Sequence, residues 1–412
     1  MSKKKMRVVA LGGCGGMGQF AVRTARPFDF VDEIVIADIN GERARDFAEQ
    51  CGSKASSVEV NVEDKEALRR LVSGADVLLN MVGPYYQFGV PILRTAIEAG
   101  CHYIDINDDW EPTLDMLKLD EEARQAGITA IIGMGASPGV SNLLAVKAMS
   151  LLDTIEDLVT GWGAGLTGDE DVEKPGEGGT FGAAIEHWVQ QFTGKIRLLR
   201  NGELVDVSPL EKIKLNYPGI GQVTTYTVGH PEPITLPRFK PEIQNSCNVM
   251  DFPPQIITVL RWLSEEVDSG RKTIREASDW LESMTDDWSM RMYFSKLGLR
   301  ILLTSLRNVL SPKKNLSTLF ALATGTRDGK QTTVGVTLSS WPTGGMEKMT
   351  MGAITGVPVA LALAMFARGQ IDRPGVSAPE NVIDPDAFFD ELALCCTPTY
   401  ANARELLVIS IL

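Results

Sequence analysis

The chain has 412 residues, of which 44% are hydrophobic and 23% charged. This composition is typical of a globular protein and excludes collagen, coiled coils and intrinsically disordered chains, and the length predicts two domains rather than one core. The formal net charge of −13 repels phosphate backbones, so we expect no nucleic-acid partner.

The six cysteines and three histidines are scattered along the chain. They show neither the spacing of a disulfide framework nor that of a metal-binding motif, so we predict reduced thiols, a cytoplasmic location and no protein-held metal. No apolar secretory core precedes the first predicted strand. The longest apolar run, residues 352–367, contains a proline and is shorter than the roughly 18 to 20 residues of a membrane span, so we expect no membrane association.

Short apolar segments alternate with amphipathic segments over the first 150 residues. The apolar segments predict strands, with helices between them, at residues 8–11, 34–37, 58–60, 77–80, 103–106 and 129–132. Strands that are apolar throughout indicate a parallel sheet covered on both faces. We therefore predict an α/β domain with a parallel sheet over residues 1–150.

The sequence pattern changes after residue 152, where residues that favour turns become frequent. Residues 200–203 and 327–330 join segments of alternating polarity, as hairpin turns do. Helices are predicted at residues 254–267, 274–284 and 288–309. This pattern predicts a second domain with an antiparallel sheet over residues 151–345, followed by a C-terminal part over residues 346–412 that begins with a helix.

A Gly-x-Gly-x-x-Gly motif follows the first predicted strand and opens the first predicted helix. Its glycines are Gly13, Gly15 and Gly18, and Gly16 and Met17 lie between them. Such glycines permit a tight turn, a close approach of the backbone to a pyrophosphate and close packing of helix on strand, while the helix N-terminus offers its N–H groups to phosphate. We therefore assign these five residues to a nicotinamide cofactor.

Asp38 ends the second predicted strand, 20 residues after Gly18. A carboxylate at this place accepts hydrogen bonds from the adenosine ribose and repels a 2′-phosphate, which favours NAD. Arg43 and Arg45 lie one turn further along and would instead attract that phosphate, so NADP is the alternative.

Val82, Gly83 and Pro84 follow the fourth predicted strand. Ligands of open parallel sheets bind beyond the carboxyl ends of the strands, so we expect this segment to border the ribose or the nicotinamide. A sharp turn from strand to loop would require the same Gly-Pro pair.

Several further stretches, taken with the glycine motif, carry a resemblance to a known family. They are VGPYYQFGVP at 82–91, GCHYID at 100–105, GMGASPGVSNLLA at 133–145, TGVP at 355–358, GVSAPE at 375–380 and DPDAFFDEL at 384–392. In this order and spacing the chain resembles the saccharopine dehydrogenase family, which includes lysine dehydrogenases and carboxynorspermidine dehydrogenase. The resemblance covers residues 6–150 and 350–392.

The resemblance implies a Rossmann doubly wound parallel sheet, an inserted α+β substrate domain with a mixed or antiparallel sheet, and C-terminal helices that return to the Rossmann domain. It also implies a homodimer, and hydride transfer to or from a C–N bond of an amino acid, opine or polyamine-like substrate. A reductase of a C=O or C=C bond and a non-catalytic dinucleotide-binding sensor are alternatives, because fold does not determine function.

The resemblance places five residues at the catalytic cleft, namely Tyr103, Asp105, Pro138, Gly139 and Asn142. We assign Pro138 and Gly139 to the cofactor, and Tyr103 and Asn142 to the substrate. Several relatives carry aspartate immediately before the Pro-Gly pair, where this chain has serine, so the family name does not decide the substrate.

Oxidation of an amine needs a group that takes the amine proton and a negative charge that stabilises the developing iminium. Asp105 ends the fifth predicted strand and Asp108 follows in the loop, and we predict both as catalytic. Asp108 or Asp109 could instead cap the helix predicted to start near Pro112, and for Asp109 the cap is the favoured interpretation. A group of carboxylates here favours a cationic amine substrate.

His187 is the third predicted catalytic residue, because imidazole exchanges protons near neutral pH. A partly buried helix histidine is the alternative interpretation. Thr180 at the start of the same predicted helix and Arg238 in a proline-bounded segment are predicted to bind a substrate carboxylate, although a solvated charge would also explain Arg238. His102 and His230 are predicted to be structural.

Overall fold

The computed structural model describes residues 5–163, 181–252, 254–283, 316–345 and 349–412. Thr180 and the helix predicted at residues 288–309 lie outside these ranges. None of the helices in the described residues has the length and apolar character that crossing a membrane requires.

The described residues form sixteen strands and fourteen α-helices. In chain order the strands are β1 (Met6–Leu11), β2 (Val31–Asp38), β3 (Ala55–Glu59), β4 (Val77–Asn80), β5 (His102–Asp105), β6 (Thr129–Ile131), β7 (Thr154–Trp162), β8 (Ile196–Arg200), β9 (Glu203–Val207), β10 (Lys212–Tyr217), β11 (Gly221–Val228), β12 (Asn245–Met250), β13 (Leu319–Arg327), β14 (Lys330–Leu338), β15 (Gly375–Ser377) and β16 (Leu407–Ile411). The helices are α1 (Gly16–Ala25), α2 (Gly41–Cys51), α3 (Lys65–Val72), α4 (Tyr85–Glu98), α5 (Trp110–Leu117), α6 (Asp120–Gln125), α7 (Val140–Met149), α8 (Phe181–Gln191), α9 (Glu232–Phe239), α10 (Pro254–Asp268), α11 (Ile274–Ser283), α12 (Met351–Ala367), α13 (Pro385–Cys395) and α14 (Ala403–Leu406).

The first sheet has seven parallel strands in the order β15-β6-β5-β4-β1-β2-β3. Alternate residues of β1 enter separate hydrophobic clusters: Val8 and Ala10 join one, whereas Val9 and Leu11 join the other. Both faces of this strand are therefore buried, as the continuous apolar runs predicted. The predicted doubly wound parallel sheet is confirmed, and the structure adds β15, a seventh strand contributed by the C-terminal part.

The second sheet is mixed. Its main path runs β10-β11-β12-β7-β13-β14-β16, with β8 and β9 attached to β12, and only the β12–β7 pair among these is parallel. The two predicted hairpins are confirmed as β8–β9 and β13–β14. Their two-residue turns, Asn201-Gly202 and Asp328-Gly329, have positive φ throughout, which suits the right-handed twist of the flanking strands.

The long apolar helix α12 packs directly on α1. A Cβ atom added to Gly352 would come within 2.6 Å of the carbonyl oxygen of Gly16, and one added to Gly356 would come within 2.3 Å of that of Met17. Glycine at both positions thus lets the two helix backbones approach each other. Because α1 follows the glycine motif, the C-terminal part of the chain determines where the start of that helix lies.

The C-terminal part contributes to both sheets. Strand β15 joins the parallel sheet and helix α12 packs on α1 of the same domain, whereas β16 pairs with β14 in the mixed sheet. One hydrophobic cluster continues from Val8 in the first sheet to Ala321 and Val336 in the second. The boundaries at residues 150 and 345 stay predictions, since the packed core is continuous across them.

Candidate active site

The glycine loop between β1 and α1 leaves no room for side chains. A Cβ atom on Gly13 would lie 2.7 Å from the carbonyl oxygen of Ala10, and one on Gly18 would lie 2.2 Å from that of Gly12. Helix α1 begins after Gly15 without a side-chain cap, so the N–H groups of its first turn are available to an anion. The loop therefore fits the diphosphate of a dinucleotide.

Asp38 stands at the end of β2 beside this loop. Its Oδ1 accepts a hydrogen bond from the backbone N–H of Asn40 at 3.1 Å. Burial, together with a hydrogen bond and the negative charge of Asp38, raises the pKa of Cys14 to about 12, while the positive charge of Arg43 acts in the opposite direction. A carboxylate and a guanidinium thus both lie near the loop, at the place where the adenosine ribose is expected.

The ends of β4 and β5 are joined by buried side chains. Asn80 donates from Nδ2 to the Tyr103 hydroxyl at 2.9 Å, and that hydroxyl donates to Asp105 Oδ2 at 2.8 Å. The backbone N–H groups of Gly133 and Asn107 donate to Asp105 Oδ1 at 2.6 and 3.0 Å. Burial raises the pKa of Asp105 to about 7, although these hydrogen bonds oppose the rise.

Asp105 is completely buried and its two oxygens accept three hydrogen bonds from the protein. It joins the end of β5 to the segment after β6, which favours a positioning role. Its predicted role in proton transfer and the predicted contact of Tyr103 with substrate stay predictions.

The segment of Val82, Gly83 and Pro84 lies close to the glycine loop. A Cβ atom on Gly12 would come within 3.0 Å of the Met81 carbonyl group and 3.1 Å of the Val82 side chain. The Val82 N–H donates to Asn80 Oδ1 at 3.1 Å. The structure thus brings two of the predicted cofactor-binding segments together.

The Pro138-Gly139 turn folds back on the segment after β6. Gly139 has φ +119°, and a Cβ atom there would lie 2.2 Å from the carbonyl oxygen of Gly135, so a side chain would be excluded by both conformation and space. The Gly139 N–H donates to Asn142 Oδ1 at 2.9 Å, which closes the first turn of α7.

Asn142 is fully buried, and it also links the turn to other parts of the chain. Its Nδ2 donates to Glu380 Oε2 at 2.9 Å and to Thr235 Oγ1 at 3.3 Å. Burial raises the pKa of Glu380 to about 7, although the hydrogen bonds from Thr235 and Asn142 oppose the rise. The predicted contact of Asn142 with substrate stays a prediction.

His187 lies between two carboxylates. Its Nδ1 is 2.6 Å from Asp109 Oδ1, and its Nε2 is 2.9 Å from Asp108 Oδ2. Burial disfavours a charged imidazole, but the charges and hydrogen bonds of Asp108 and Asp109 outweigh it and raise the pKa of His187 to about 10. His187 is therefore an imidazolium near neutral pH.

Asp109 does not act as the helix cap that the sequence offered as an alternative. It precedes α5, but its side chain forms no capping hydrogen bond there. One oxygen contacts His187, and the other accepts from the Tyr86 N–H at 3.2 Å. Its carboxylate belongs to the site, whereas Asp108 retains 33% exposure of its side chain and is the more open member.

The ligand atoms of Asp108, Asp109 and His187 lie within 4.8 Å of one another, a spacing that could hold a metal ion. Because each nitrogen of His187 already faces a carboxylate, we interpret the three residues as a charged hydrogen-bonded cluster with a net charge of −1. The predicted absence of a metal stays a prediction.

A second buried ion pair lies nearby, and the sequence did not reveal it. His230 Nδ1 is 3.1 Å from Glu232 Oε2, and the side chains are 2% and 0% exposed. Glu232 Oε1 accepts hydrogen bonds from Ser137 at 2.5 Å and Ser141 at 2.8 Å. Although burial opposes ionisation, the His230 charge and these hydrogen bonds lower the pKa of Glu232.

His230 was predicted to be structural, and the structure adds its buried pairing with Glu232 to that interpretation. The only sequence signal was a histidine two residues before a glutamate in a proline-rich segment. Arg238 is exposed on α9 and forms no ion pair within the described part of the chain. Its predicted role in carboxylate binding stays a prediction.

The raised pKa of His187 predicts a pH-dependent stability. Its usual pKa is 6.5 and rises to about 10 in the fold, so the stabilisation is complete below about pH 6.5 and is lost as the pH rises through about 10. We expect the difference in unfolding free energy between the wild type and His187→Gln to shrink steadily from pH 6.5 to pH 10. Urea denaturation at fixed pH values measures this difference.

An Asp108→Asn variant provides the control for the cause. It retains the histidine but removes one of the two carboxylates that raise its pKa. In this background the stabilisation that His187 contributes should therefore be lost at a lower pH than in the wild type. A difference between the wild type and His187→Gln that does not change from pH 6.5 to pH 10 would contradict the assignment.

Two family models match consecutive parts of this chain. The family model described as the saccharopine dehydrogenase NADP binding domain matches residues 8–131, and the saccharopine dehydrogenase C-terminal domain matches residues 135–395. Together these two models span most of the chain.

Two relatives are similar over nearly their full lengths. Carboxyaminopropylagmatine dehydrogenase of Synechocystis sp. is 24% identical over 404 residues, which cover 94% of this chain and 95% of the relative. Carboxynorspermidine synthase of Vibrio cholerae is 22% identical over 416 aligned positions, which cover 92% of this chain and 93% of the relative. Among solved structures, the L-glutamate-forming saccharopine dehydrogenase of Saccharomyces cerevisiae matches with a TM-score of 0.64 and 18% identity over 99% of this chain and 100% of that one, which supports the fold.

Proposed function

The chain belongs to the saccharopine dehydrogenase family, and from that premise we propose that it is a nicotinamide-dependent oxidoreductase that transfers a hydride to or from a carbon bearing nitrogen. The observation that carries this proposal is the charged cluster of Asp108, Asp109 and His187. Asp108 and Asp109 follow β5, which lies two strands from β1 in the parallel sheet, and His187 reaches them from α8. Acid–base groups thus lie beyond the carboxyl ends of the strands, where open parallel sheets bind their ligands.

The glycine loop would hold the diphosphate of the coenzyme, with Gly13, Gly15, Gly16, Met17 and Gly18 in contact with it. We propose that two further segments, residues 82–84 and 138–139, border its ribose and nicotinamide, because they follow β4 and β6, whose carboxyl ends lie on the same side of the parallel sheet as that of β1. When bound, the coenzyme supplies the hydride acceptor or donor.

The charged cluster would handle the proton and the charge of the reacting nitrogen. In the reducing direction, a hydride converts an iminium into a neutral amine, and that amine takes up one proton. His187 carries an N–H proton near neutral pH and suits this donation, while Asp108 is open enough to pair with a cationic nitrogen. Asp109 would orient the imidazole from its other side.

The substrate class follows from charge. The cluster has a net charge of −1 and the whole chain one of −13, so a cationic amine is favoured over an anion. The names of the similar relatives refer to carboxyaminopropylagmatine and carboxynorspermidine. We propose an amino acid, opine or polyamine-like substrate, with Arg238 available for a carboxylate.

Turnover with lysine, saccharopine and a set of polyamines, each with NAD⁺ and NADP⁺, tests this function. With the substrate that reacts, Asp108→Asn should lower kcat/KM by about 100-fold, because a positioned acid–base or charge-stabilising group typically contributes about that much. Coenzyme affinity should stay unchanged.

Asp115→Asn is the matched control, since Asp115 is an exposed residue on α5 that pairs with Lys118. Its activity should equal that of the wild type. Tight coenzyme binding without turnover of any amine would favour a sensor, and full activity of Asp108→Asn would remove the cluster from the mechanism.

We propose that the enzyme accepts both NAD and NADP, and that Arg43 admits the latter. The carboxylate of Asp38 favours NAD, whereas the family model is named for NADP and Arg43 lies close enough to act on the same loop. Arg43→Gln should weaken NADPH binding by about 10- to 100-fold, the loss expected for one charge-assisted hydrogen bond, and leave NADH binding unchanged. Fluorescence titration measures both.

Arg45→Gln is the control on the same helix, because Arg45 is exposed and should affect neither coenzyme. Equal weakening of NADH and NADPH by Arg43→Gln, or no weakening, would contradict the role given to Arg43.

We also propose a homodimer in which a second copy covers β16. This strand is at the edge of the mixed sheet, and Val408, Ile409 and Ile411 are 41%, 43% and 49% exposed. An open edge with apolar side chains can pair with the same edge of another copy. Light scattering should give the mass of two chains, and Ile409→Lys should give that of one.

Leu204→Lys serves as the comparison, since Leu204 is also an exposed apolar residue but lies on β9. A monomeric wild type, or a dimer that tolerates Ile409→Lys, would contradict the proposed interface.

We further propose a cytoplasmic location, because all six cysteines are unpaired thiols, which suits a reducing compartment.

A further inference from the structure

The side-chain amide of Gln191, the last residue of α8, lies between two imidazole rings. One terminal atom of the amide is 2.5 Å from Nε2 of His187 and 2.6 Å from Nε2 of His230. Gln191 is only 6% exposed. At this burial, a mismatched donor or acceptor would be costly, so the identity of that atom matters.

The carboxylates decide which ring nitrogens carry protons. Each nitrogen of His187 faces a carboxylate oxygen, of Asp109 at 2.6 Å and of Asp108 at 2.9 Å. Carboxylates accept hydrogen bonds, so both nitrogens of His187 carry N–H. Nδ1 of His230 faces Glu232 at 3.1 Å and is a donor by the same reasoning.

An amide nitrogen at the shared position would meet the Nε2–H of His187 donor against donor. In that orientation the amide oxygen is also buried without a hydrogen-bond partner. A 180° rotation of the amide exchanges nitrogen and oxygen within the same volume. The oxygen then accepts hydrogen bonds from both rings, and the amide nitrogen faces away from them.

We propose that Gln191 is a positioning residue for His187. Its carbonyl oxygen accepts hydrogen bonds from Nε2–H of His230 and from Nε2–H of His187, whose single proton it shares with Asp108. This bridge requires that Nε2 of His230 carries a proton as well as its Nδ1, which faces Glu232. The two rings face three carboxylates, of Asp108, Asp109 and Glu232, so two positive charges meet three negative ones. The catalytic part of this inference rests on the proposed function.

The bridge completes a chain of hydrogen bonds between the two domains. The chain begins at Asp109 in the loop after β5, which contacts His187 on α8. His187 contacts Gln191, which contacts His230, and His230 contacts Glu232. Glu232 accepts from the Ser137 hydroxyl, beside the Pro138-Gly139 turn. Gln191 would therefore hold the ring of His187 in one orientation relative to the segment proposed to contact the nicotinamide.

Three variants test the positioning role. Gln191→Leu removes the acceptor and should lower kcat by about 10-fold or more, with the KM for coenzyme unchanged. Gln191→Glu retains an acceptor of the same shape and should restore most of kcat. Gln190→Leu is the matched control: it is the same substitution one residue earlier on α8, and within the described residues Gln190 bonds to neither histidine, so its kcat should equal that of the wild type.

Nitrogen NMR of the histidine rings tests the bridge without any turnover. The chain has only three histidines, and His102, which packs on Phe366 in the parallel sheet, is an internal reference. In the wild type at pH 7, His187 and His230 should both show protonated Nδ1 and Nε2. Gln191→Leu should shift the Nε2–H signals of both rings and leave those of His102 in place.

The two measurements separate the bridge from the enzymatic function. If no amine is turned over, the proposed function fails while the NMR pattern still tests the bridge. A wild-type spectrum in which Nε2 of either ring lacks a proton would overturn the proposal. So would an active enzyme in which Gln191→Leu and Gln190→Leu have the same kcat.

Discussion

An imidazolium held between two carboxylates is the constraint on which the candidate site depends. A buried charge is tolerated only when it is paired and its N–H groups are satisfied, and His187 meets this condition through Asp108 and Asp109. The contacts require α8 of the second domain to lie against the loop after β5 of the first. They also keep the ring protonated near neutral pH, which determines the chemistry that it can perform.

The other buried polar groups extend the same principle across the cleft. Glu232 is completely buried, and it is ionised because His230 and two serine hydroxyls compensate for the lost water. Asn142 contacts Glu380, which is 238 residues away in the chain. Buried polar groups need hydrogen-bond partners, and Glu232 and Asn142 find several of theirs in distant parts of the chain. These polar interactions therefore fix the relative position of the two sheets around the Pro138-Gly139 turn. The cost of leaving any one group without its partner makes the whole arrangement cooperative.

Close packing of backbone on backbone supplies the complementary constraint at the dinucleotide loop. Gly13 and Gly18 leave no space for a Cβ atom within the loop, and Gly352 and Gly356 leave none between α12 and α1. The first pair shapes a surface that phosphate can approach. The second pair holds the helix whose N-terminus would face that phosphate. Both the amino-terminal motif and a helix more than 300 residues later in the chain therefore define one binding surface, and the apolar character of α12 reflects burial on all sides.

The sequence by itself determined the parallel sheet, the glycine loop, Asp38 and the two hairpins, because each depends on residues close together in the chain: a period of apolar side chains, a turn that needs positive φ, or a carboxylate at a strand end. It also indicated Asp108 and His187 as candidates, though separately. Only the tertiary structure decided that these two meet, that Asp109 binds His187 rather than capping α5, and that Asp105 is enclosed by hydrogen bonds. It alone revealed Gln191, His230 and Glu232 as one network, and β15 and β16 as strands. The physical reason is that a short strand or a buried polar side chain gains its stability from partners far away in the chain, and no local pattern encodes where those partners will lie.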